Sequence, residues 1–231
     1  MKPEYRLPQD FIAESPVMKR IYASFQAAAK SHLSVLLRGE TGVGKDRAAR
    51  VIYDLSGLKG PFVQLHLDTY PEHLRAAQLF GYEKGAYSGA ETSFPGKIEQ
   101  AEGGVLFINE VGDIPFDQQG AIRLFLDTGI KSRISGMERR FNVKIVAATN
   151  RNLGELIMQG AFREDLYHRL AGYKICIPPL RERVEDIPGL ARSILGEISL
   201  KNGRTAEIDA DAVEMLQKMH WPGNVRQRFS A

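Results

Sequence analysis

One segment of this 231-residue sequence has the residue types and the spacing of a phosphate-binding loop. Residues 39–45 read Gly-Glu-Thr-Gly-Val-Gly-Lys and lie between an apolar strand pattern and a helical one. Glycines there let backbone N–H groups turn inward around phosphate oxygens, and the N-terminus of the following helix adds partial positive charge. Lys45 supplies a full positive charge to the terminal phosphates. We therefore predict a nucleotide site at Gly39, Glu40, Thr41, Gly42, Val43, Gly44, Lys45 and Asp46.

Asp46 departs from the general form of this loop. The position after the lysine usually holds a Ser or Thr whose hydroxyl binds Mg²⁺. A carboxylate there adds negative charge beside the phosphates, so the usual metal ligand is missing or altered. The alternative interpretation is a glycine-rich turn with an exposed lysine and no bound phosphate. It is disfavoured because a strand pattern precedes the loop and a helical pattern follows it.

A second segment has the form of the acidic strand of a nucleotide hydrolase. Residues 103–110 contain a continuous apolar run that ends in Asn109 and Glu110. Such strands normally end in Asp and Glu, where the Asp holds Mg²⁺ and the Glu orients and deprotonates the attacking water. Glu110 is therefore the candidate general base. Asn109 has the size of an aspartate but lacks the charge that holds the metal.

Alternating strand and helix patterns position these segments. A helical pattern follows Ser15 and Pro16, which read as an N-cap and a first helical residue. Short apolar runs predict strands at residues 33–37, 62–67, 105–108, 143–148 and 173–177, with helical patterns between them. This alternation predicts an α/β fold in which helices cover both faces of a parallel sheet.

The pattern changes after Pro178 and Pro179. Helical patterns then cover residues 187–200 and 209–219, a turn at 221–224 begins a further helix, and no strand is indicated. We expect a loose lead-in at 1–14, an α/β domain at 15–180 and an incomplete helical domain at 181–231.

The composition restricts the class of protein. Hydrophobic residues make up 43% of the chain, which is enough for a core, and the net charge of +3 is only weak evidence for a nucleic-acid partner. The single cysteine, Cys176, excludes an internal disulfide and is predicted to be a small buried side chain in a reducing compartment. No run approaches the roughly 18 apolar residues of a membrane span, so we expect a cytoplasmic protein without membrane contact.

Residues 85–90, Gly-Ala-Tyr-Ser-Gly-Ala, resemble the GAFTGA loop of the sigma-54-dependent transcriptional activators, also called bacterial enhancer-binding proteins. Further segments resemble that family in the same order, at 79–84, 94–101, 147–150, 162–170, 178–183 and 221–226. The resemblance extends over about residues 11–227. It implies an AAA+ P-loop NTPase, in which a parallel sheet sandwiched by helices is followed by a C-terminal helical lid, truncated here.

The resemblance assigns functions around a bound nucleotide. It implies ATP and Mg²⁺ as cofactors, with the phosphates held by residues 39–46. Thr149 and Asn150 resemble the sensor that contacts the γ-phosphate or the attacking water. Arg226 resembles the second sensor, which the lid carries.

Other matching residues are implied to act between molecules. Arg163 and Arg169 resemble arginine fingers that reach the nucleotide of a neighbouring subunit, so the resemblance implies hydrolysis in a ring, usually a hexamer. Without the flanking match, these two arginines would be interpreted as solvated helix charges. Sigma-54 and its RNA polymerase are the implied partners, contacted by the loop of Gly85, Ala86, Tyr87, Ser88, Gly89 and Ala90.

Several departures from the family fall at the chemistry. Asn109 replaces the acidic-strand aspartate, and Asp46 stands where the family usually has glutamate; these are the two positions from which Mg²⁺ would be held. His66 replaces an asparagine that restrains the catalytic glutamate until the sigma factor is sensed. Tyr87 and Ser88 replace Phe and Thr, so the loop keeps an aromatic ring and a hydroxyl.

The end of the sequence departs as well. The family helix continues after Arg226 and a DNA-binding helix-turn-helix usually follows, but residues 227–231 break that pattern. Nothing resembling a receiver domain precedes Ser15. Contact with DNA is therefore expected only through a missing domain or a partner.

Two functions are compatible with these observations. The first is an ATPase that moves the 85–90 loop against sigma-54 RNA polymerase, so that the closed promoter complex opens. The alternative is a nucleotide-binding regulatory module that hydrolyses ATP weakly or not at all, which Asn109, His66 and the short lid favour. The ATPase is favoured by the retained Lys45, Glu110, Thr149, Asn150, Arg163, Arg169 and Arg226.

Overall fold

The computed structural model describes residues 11–86, 91–203 and 207–227. The strands are β1 (Val35–Arg38), β2 (Phe62–His66), β3 (Gly81–Tyr82), β4 (Phe94–Pro95), β5 (Val105–Asn109), β6 (Ile130–Ser132), β7 (Glu138–Arg140), β8 (Lys144–Thr149) and β9 (Tyr173–Cys176). The helices are α1 (Pro16–Lys30), α2 (Lys45–Ser56), α3 (Glu72–Phe80), α4 (Lys97–Gln100), α5 (Phe116–Thr128), α6 (Leu153–Met158), α7 (Glu164–Leu170), α8 (Ile187–Asn202) and α9 (Ala210–Lys218). Short 3₁₀ turns lie at Leu67–Thr69, Val111–Asp113, Leu180–Glu182, Val184–Asp186 and Asn224–Arg226.

Five of these strands form one sheet in the order β2-β5-β8-β1-β9, and every neighbouring pair is parallel. In a parallel sheet all strands have their carboxyl ends at the same edge, which is where ligands bind in open α/β folds. The loops that follow β1, β5 and β8 therefore lie next to one another. The predicted parallel sheet is confirmed.

Helices cover both faces of this sheet, as predicted. Neighbouring residues of a strand point to opposite faces, and both faces are buried here, which explains the continuous apolar runs. One face packs against α3–α7 through side chains such as Leu36, Leu65, Leu106 and Ile108. The other face packs against α1 and α2 through Val35, Leu37, Phe107 and Val146.

The helix and strand boundaries agree with the sequence pattern to within a few residues. Ser15 caps α1 as predicted, because its Oγ accepts a hydrogen bond from the Met18 N–H at 3.3 Å. Two short antiparallel pairs, β3-β4 and β6-β7, were not predicted, since two or three residues carry too little periodicity to be recognised. The further helix expected after residue 221 is a 3₁₀ turn, Asn224–Arg226, within the described residues.

Two expectations from the sequence are wrong. Residues 11–14 are not a loose lead-in, because Phe11 and Ala13 are buried and the Phe11 ring lies 5.7 Å from that of Tyr22. Cys176 is exposed, not buried. It lies on edge strand β9, where side chains alternate and Ile175 is the residue that points into the core.

The chain after β9 is helical in its described part and has a small core of its own. Leu180, Ile187 and Trp221 are buried together there, between α8 and α9. Buried Asp186 connects this part to α1, since its carboxylate accepts the backbone N–H groups of Glu14 at 2.8 Å and Ser15 at 2.6 Å. Among the helices that the structure describes, none is both long and apolar enough to cross a bilayer.

Candidate nucleotide site

The loop between β1 and α2 adopts a backbone conformation that glycine favours. Gly42 and Gly44 have φ angles of 82° and 102°, in the left-handed region where a Cβ atom is strained. Gly44 is the N-cap of α2, so the helix begins directly at Lys45. The Lys45 ammonium is buried and donates to the carbonyl oxygens of Gly39 at 3.0 Å and Glu40 at 3.4 Å. The loop thus places a full positive charge beside the N-terminus of a helix.

The carboxylate of Glu110 lies next to this loop. Its Oε1 is 3.3 Å from Lys45 Nζ, and its Oε2 accepts the backbone N–H of Asn150 at 3.0 Å. Glu110 has a φ of 54°, an uncommon value for a residue with a side chain, directly after the last residue of β5. Strain of this kind concentrates at functional sites, where the surrounding contacts maintain it.

Asn150 connects the end of β8 to the phosphate-binding loop. Its Nδ2 donates to Thr41 Oγ1 at 2.8 Å, while its backbone N–H is the donor to Glu110. Thr149 lies differently, although it precedes Asn150 directly. Its side chain is fully buried and its Oγ1 accepts the backbone N–H of Arg151 at 3.0 Å. Of the two predicted sensor residues, Asn150 is the one that contacts other site residues through its side chain.

His66 and Asn109 lie opposite each other at the ends of β2 and β5. Asn109 Nδ2 is 3.2 Å from His66 Nδ1, and Asn109 Oδ1 accepts the backbone N–H of Glu110 at 3.1 Å. The Asn109 side chain is thus hydrogen-bonded at both its nitrogen and its oxygen. His66 pairs with Asn109, whereas Glu110 is held by Lys45 and Asn150.

Asp46 meets a simple requirement for a cation ligand. Its Oδ1 is buried without a hydrogen-bond partner in the described structure, and the residue lines the same cavity as Lys45, Asn109 and Glu110. A buried carboxylate oxygen without a partner is unfavourable unless a positive charge reaches it. Asp46 therefore fits Mg²⁺ better than Asn109 does. Within the described residues, no group of three or more His, Cys, Asp or Glu side chains forms a self-sufficient metal site.

A cavity of about 380 Å³ joins these groups to the lid. Its volume is within the range of small-molecule sites. The polar side is formed by the phosphate-binding loop and by Asn109 and Glu110, and Arg226 reaches it from the C-terminal part. The apolar side is formed by Ile12, Leu190, Ile194 and Val225.

Several contacts between the loop and the C-terminal part were not predicted. Glu40 forms a two-pronged ion pair with Arg181 at 2.6 and 2.9 Å and accepts from Asn224 Nδ2 at 3.2 Å. The hydrogen bonds from Arg181, and then that from Asn224, lower the pKa of Glu40 to about 2. Buried Arg183 donates to the carbonyl oxygen of Val43 at 2.6 Å. In the sequence, only the resemblance of residues 178–183 to the family points to these contacts, and that resemblance implies no role for an individual residue of the segment.

The two predicted arginine fingers lie outside this cavity. Arg163 precedes α7 and forms a bidentate pair with Asp165, whose pKa the hydrogen bonds from Arg163 lower to about 2. Arg169, on α7, pairs with Asp127 of α5. Both guanidinium groups are substantially exposed, at 41% and 58%. The structure therefore does not bring them to the nucleotide site of the same chain.

Only part of the predicted sigma-factor loop is described. Gly85 and Ala86 follow β3, and the backbone N–H of Ala86 donates to the carbonyl oxygen of Glu83 at 3.1 Å. The predicted contact residues Tyr87, Ser88, Gly89 and Ala90 lie outside the described residues.

Comparisons with known proteins find matches over almost the whole chain. Residues 11–176 match the family described as Sigma-54 interaction domain, and residues 181–228 match AAA+ ATPase lid domain. The DNA-binding transcriptional regulator NtrC of Azospirillum brasilense is 41% identical over 218 residues, which are 94% of this chain and 45% of that protein. The Nif-specific regulatory protein of Azotobacter vinelandii is 42% identical over 226 residues, 97% of this chain and 43% of that protein. The chain thus spans less than half the length of these curated relatives.

Solved structures agree as well. NtrX from Brucella abortus in complex with ADP has a TM-score of 0.86 and 32% identity, covering 94% of this chain and 48% of that one. The same protein in complex with ATP has a TM-score of 0.84 and 32% identity, covering 95% and 50%. The matches include both the α/β part and the lid, which confirms the AAA+ fold predicted from the sequence. This chain belongs to the sigma-54 interaction domain family of AAA+ proteins.

Proposed function

We propose that this chain is an ATP-driven motor that remodels the sigma-54 RNA polymerase holoenzyme to activate transcription. ATP binds and is hydrolysed between subunits of a ring, most simply a hexamer. Residues 15–180 act as the nucleotide-binding domain and residues 181–231 as the lid. The observation that carries the proposal is the position of Glu110, whose carboxylate lies between the Lys45 ammonium and the backbone N–H of Asn150.

In this proposal Glu110 is the general base. A carboxylate at the wall of the cavity can accept the proton of an attacking water, and Asn150 fixes its direction through the backbone N–H. The Lys45 ammonium neutralises phosphate charge, as does the N-terminus of α2. Mg²⁺, which Asp46 is placed to hold together with the nucleotide phosphates, would supply further charge neutralisation during phosphoryl transfer.

The exposed arginines support hydrolysis between subunits. Arg163 and Arg169 lie on or beside α7, outside the cavity of their own chain, and each is paired with a carboxylate of that chain. In a ring these guanidinium groups turn to the nucleotide of the neighbouring subunit and stabilise the transferring phosphoryl group. Their positive charge therefore reaches the transferring phosphoryl group only in the assembly.

A hydrogen bond from a side chain to the backbone connects the site to the segment before the sigma-factor loop. The turn Val111–Asp113 follows Glu110 directly, and the carbonyl oxygen of Asp113 accepts from Arg75 Nη1 at 2.8 Å. Arg75 lies on α3, which leads into β3 and then the 85–90 loop. In this proposal, a change in the position of Glu110 on ATP hydrolysis moves α3 and the 85–90 loop that follows it. The moving loop then exerts force on sigma-54. Contact with DNA is made through another domain or a partner.

The test is the ATPase rate measured across protein concentration, with and without sigma-54. We expect a rate per subunit that rises steeply with concentration, no turnover in Glu110→Gln with ATP binding retained, and no ATP binding in Lys45→Ala. Tyr87→Ala and Ser88→Ala keep ATPase activity and lose binding to sigma-54 in a transition-state nucleotide complex. Unchanged ATP affinity of Lys45→Ala by calorimetry, or full turnover in Glu110→Gln, would contradict the site assignment.

A second candidate function rests on Asn109. Its neutral amide is already hydrogen-bonded to His66 and to the Glu110 N–H, so the usual charge for Mg²⁺ is missing at this position. The chain would then be a regulatory module that binds nucleotide but hydrolyses it weakly or not at all. ATP binding without turnover at any protein concentration, in the presence of sigma-54, identifies this function.

A further inference from the structure

Asn224 combines two features that are uncommon for a polar residue in a turn. It is 1% exposed, and its φ angle of 51° lies in the left-handed region, which few residues other than glycine adopt. Buried polar groups require hydrogen-bond partners, and a strained backbone persists only where the surrounding contacts maintain it. The contacts of the Asn224 side chain therefore explain why this conformation is kept.

The Asn224 amide joins the C-terminal lid to the phosphate-binding loop. Its Nδ2 donates to Glu40 Oε2 at 3.2 Å and to the Thr41 carbonyl oxygen at 3.1 Å, while its Oδ1 accepts the Leu180 N–H at 2.7 Å. These partners determine the orientation of the amide, because a carbonyl oxygen can only accept and a backbone N–H can only donate. A side chain of similar size without an amide nitrogen cannot make both contacts with the loop.

The turn that begins at Asn224 places two residues at the nucleotide cavity. Val225 and Arg226 complete this 3₁₀ turn and line the cavity, whereas Asn224 does not line it. The backbone N–H of Arg226 donates to the Gly42 carbonyl oxygen at 3.2 Å, so the turn and the loop are also joined directly. From this geometry we infer that Asn224 is a positioning residue, which sets the turn so that Val225 and Arg226 meet a bound nucleotide. The inference rests on the proposed function only in taking this cavity as the ATP site.

Replacing Asn224 by aspartate tests its contact with Glu40. The Glu40 carboxylate is ionised at neutral pH, because hydrogen bonds from Arg181 and then from Asn224 lower its pKa to about 2. Asn224→Asp removes a donor and places a second carboxylate beside that of Glu40. ATP affinity, measured by calorimetry, should therefore fall at least about tenfold, as expected for the loss of a hydrogen bond to a charged group.

A second substitution should reverse part of this loss. Glu40→Gln supplies an amide on the opposite side of the contact, so the double variant Glu40→Gln, Asn224→Asp regains a hydrogen bond with donor and acceptor exchanged. Asn152→Asp is the matched control. Asn152 Nδ2 donates to Glu155 Oε1 at 2.8 Å, so this variant also brings two carboxylates together, but outside the cavity, and should leave ATP affinity unchanged.

A double-mutant cycle tests whether Asn224 acts through Arg226. Asn224→Gly removes the side chain and adopts the positive φ without strain. It should weaken ATP binding in the natural background and much less in Arg226→Ala, so that the two effects do not add. A residue that only holds the lid together would give the same loss in both backgrounds. Urea unfolding of each variant ensures that ATP affinities are compared between folded proteins.

A further measurement uses the natural protein alone. By linkage, a turn that favours ATP binding is itself stabilised by bound ATP. The Leu180 amide donates to Asn224 and does not line the cavity, so its hydrogen exchange should become slower when ATP binds. The Gly129 amide, which donates to the Phe125 carbonyl oxygen at the end of α5, is the control and should not change.

Four results would overturn the inference. These are natural ATP affinity in Asn224→Asp and Asn224→Gly, no gain when Glu40→Gln is added to Asn224→Asp, an equal effect of Asn224→Gly in the Arg226→Ala background, and unchanged exchange of the Leu180 amide. All readouts concern ATP binding and not turnover. A natural protein that binds ATP without hydrolysing it therefore contradicts the proposed ATPase, and still supports this inference if the changes above are observed. A natural protein that does not bind ATP overturns both.

Discussion

The side chains of His66 and Asn109 form a hydrogen bond between two neighbouring parallel strands, with Asn109 Nδ2 at 3.2 Å from His66 Nδ1. The orientation of the amide is determined by the Glu110 N–H, which requires the Asn109 oxygen as its acceptor. The amide nitrogen is therefore the donor to His66, and Nδ1 of the imidazole is the acceptor. The two departures from the family pattern at the strand ends are thus one interacting pair.

This pair should be energetically coupled. Asn109 is 7% exposed, so His66→Leu leaves its Nδ2 without a partner, at a cost of about 1–3 kcal/mol in the free energy of unfolding. A double-mutant cycle of His66→Leu and Asn109→Leu should give a coupling of about 0.5–3 kcal/mol in urea unfolding. His168→Leu is the control, because His168 is exposed and should change stability by less than about 0.5 kcal/mol. Additive effects of the two substitutions would show that the pair does not interact.

Asn109→Asp should raise Mg²⁺-dependent ATP hydrolysis, because it restores a carboxylate at the end of β5. Asp46→Ala should damage the natural protein more than it damages Asn109→Asp, since Asp46 Oδ1 is the buried, unpartnered carboxylate oxygen in the natural site. The measurement is the Mg²⁺-dependent ATPase rate of four proteins: the natural protein, Asn109→Asp, Asp46→Ala and the double variant. An equal proportional effect of Asp46→Ala in both backgrounds would mean that Asp46 only complements the N-terminus of α2, a contribution of about 0.3–1 kcal/mol.

Arg169→Ala should keep ATP binding and lose ATPase activity by a factor on the order of 10³–10⁵. Arg123→Ala is the matched control, because Arg123 pairs with the same Asp127 and is similarly accessible. A mixing experiment tests action between subunits. Lys45→Ala subunits retain Arg169, so adding them to Arg169→Ala subunits should restore part of the activity. No recovery in the mixture, with both variants assembling normally, would argue against a finger.

Gly42→Ala should loosen the contact between the phosphate-binding loop and the lid. A Cβ atom at Gly42 would lie 2.2 Å from the carbonyl oxygen of Gly223, whereas one at Gly44 would meet nothing within 4 Å. Both positions have positive φ, so Gly44→Ala measures backbone strain alone, about 1–3 kcal/mol. The Arg226 amide, which donates to the Gly42 carbonyl oxygen at 3.2 Å, should exchange hydrogen faster in Gly42→Ala only. Equal exchange in both variants would contradict the steric argument.

Lys131→Met should stabilise the protein at neutral pH by about 1–3 kcal/mol, because it removes a buried ammonium that has no hydrogen-bond partner in the described structure and lies only over the Phe141 ring, at 5.8 Å. Burial lowers the pKa of Lys131 from 10.5 to about 8, so between these values the unfolded chain binds more protons than the native one. The stability of the natural protein therefore rises with pH across this interval, and the advantage of Lys131→Met shrinks. Unfolding curves at several pH values measure the difference. If Lys131→Met is no more stable than the natural protein at neutral pH, or if its extra stability stays constant to high pH, the buried ammonium does not destabilise the fold.

The sequence determined the features that depend on near neighbours along the chain. Short apolar runs predicted the five strands of the sheet, Ser15 and Pro16 marked the start of α1, and the glycine spacing of residues 39–45 predicted the phosphate-binding loop. The alternation of strand patterns with helix patterns along the chain was also sufficient to predict a parallel sheet with helices on both faces. These properties follow from local backbone geometry, which a few consecutive residues specify.

Tertiary structure alone decided which of these residues meet. The Glu110 pairing with Lys45 and Asn150, the His66 bond to Asn109 and the Glu40 pairing with Arg181 all join residues far apart in the chain. Strand order and the packing of the lid determine such contacts, and no local pattern records them. Burial is decided in the same way. Lys131, a polar residue, is buried and Cys176, an apolar one, is exposed, because exposure depends on what packs over a side chain and not on its type.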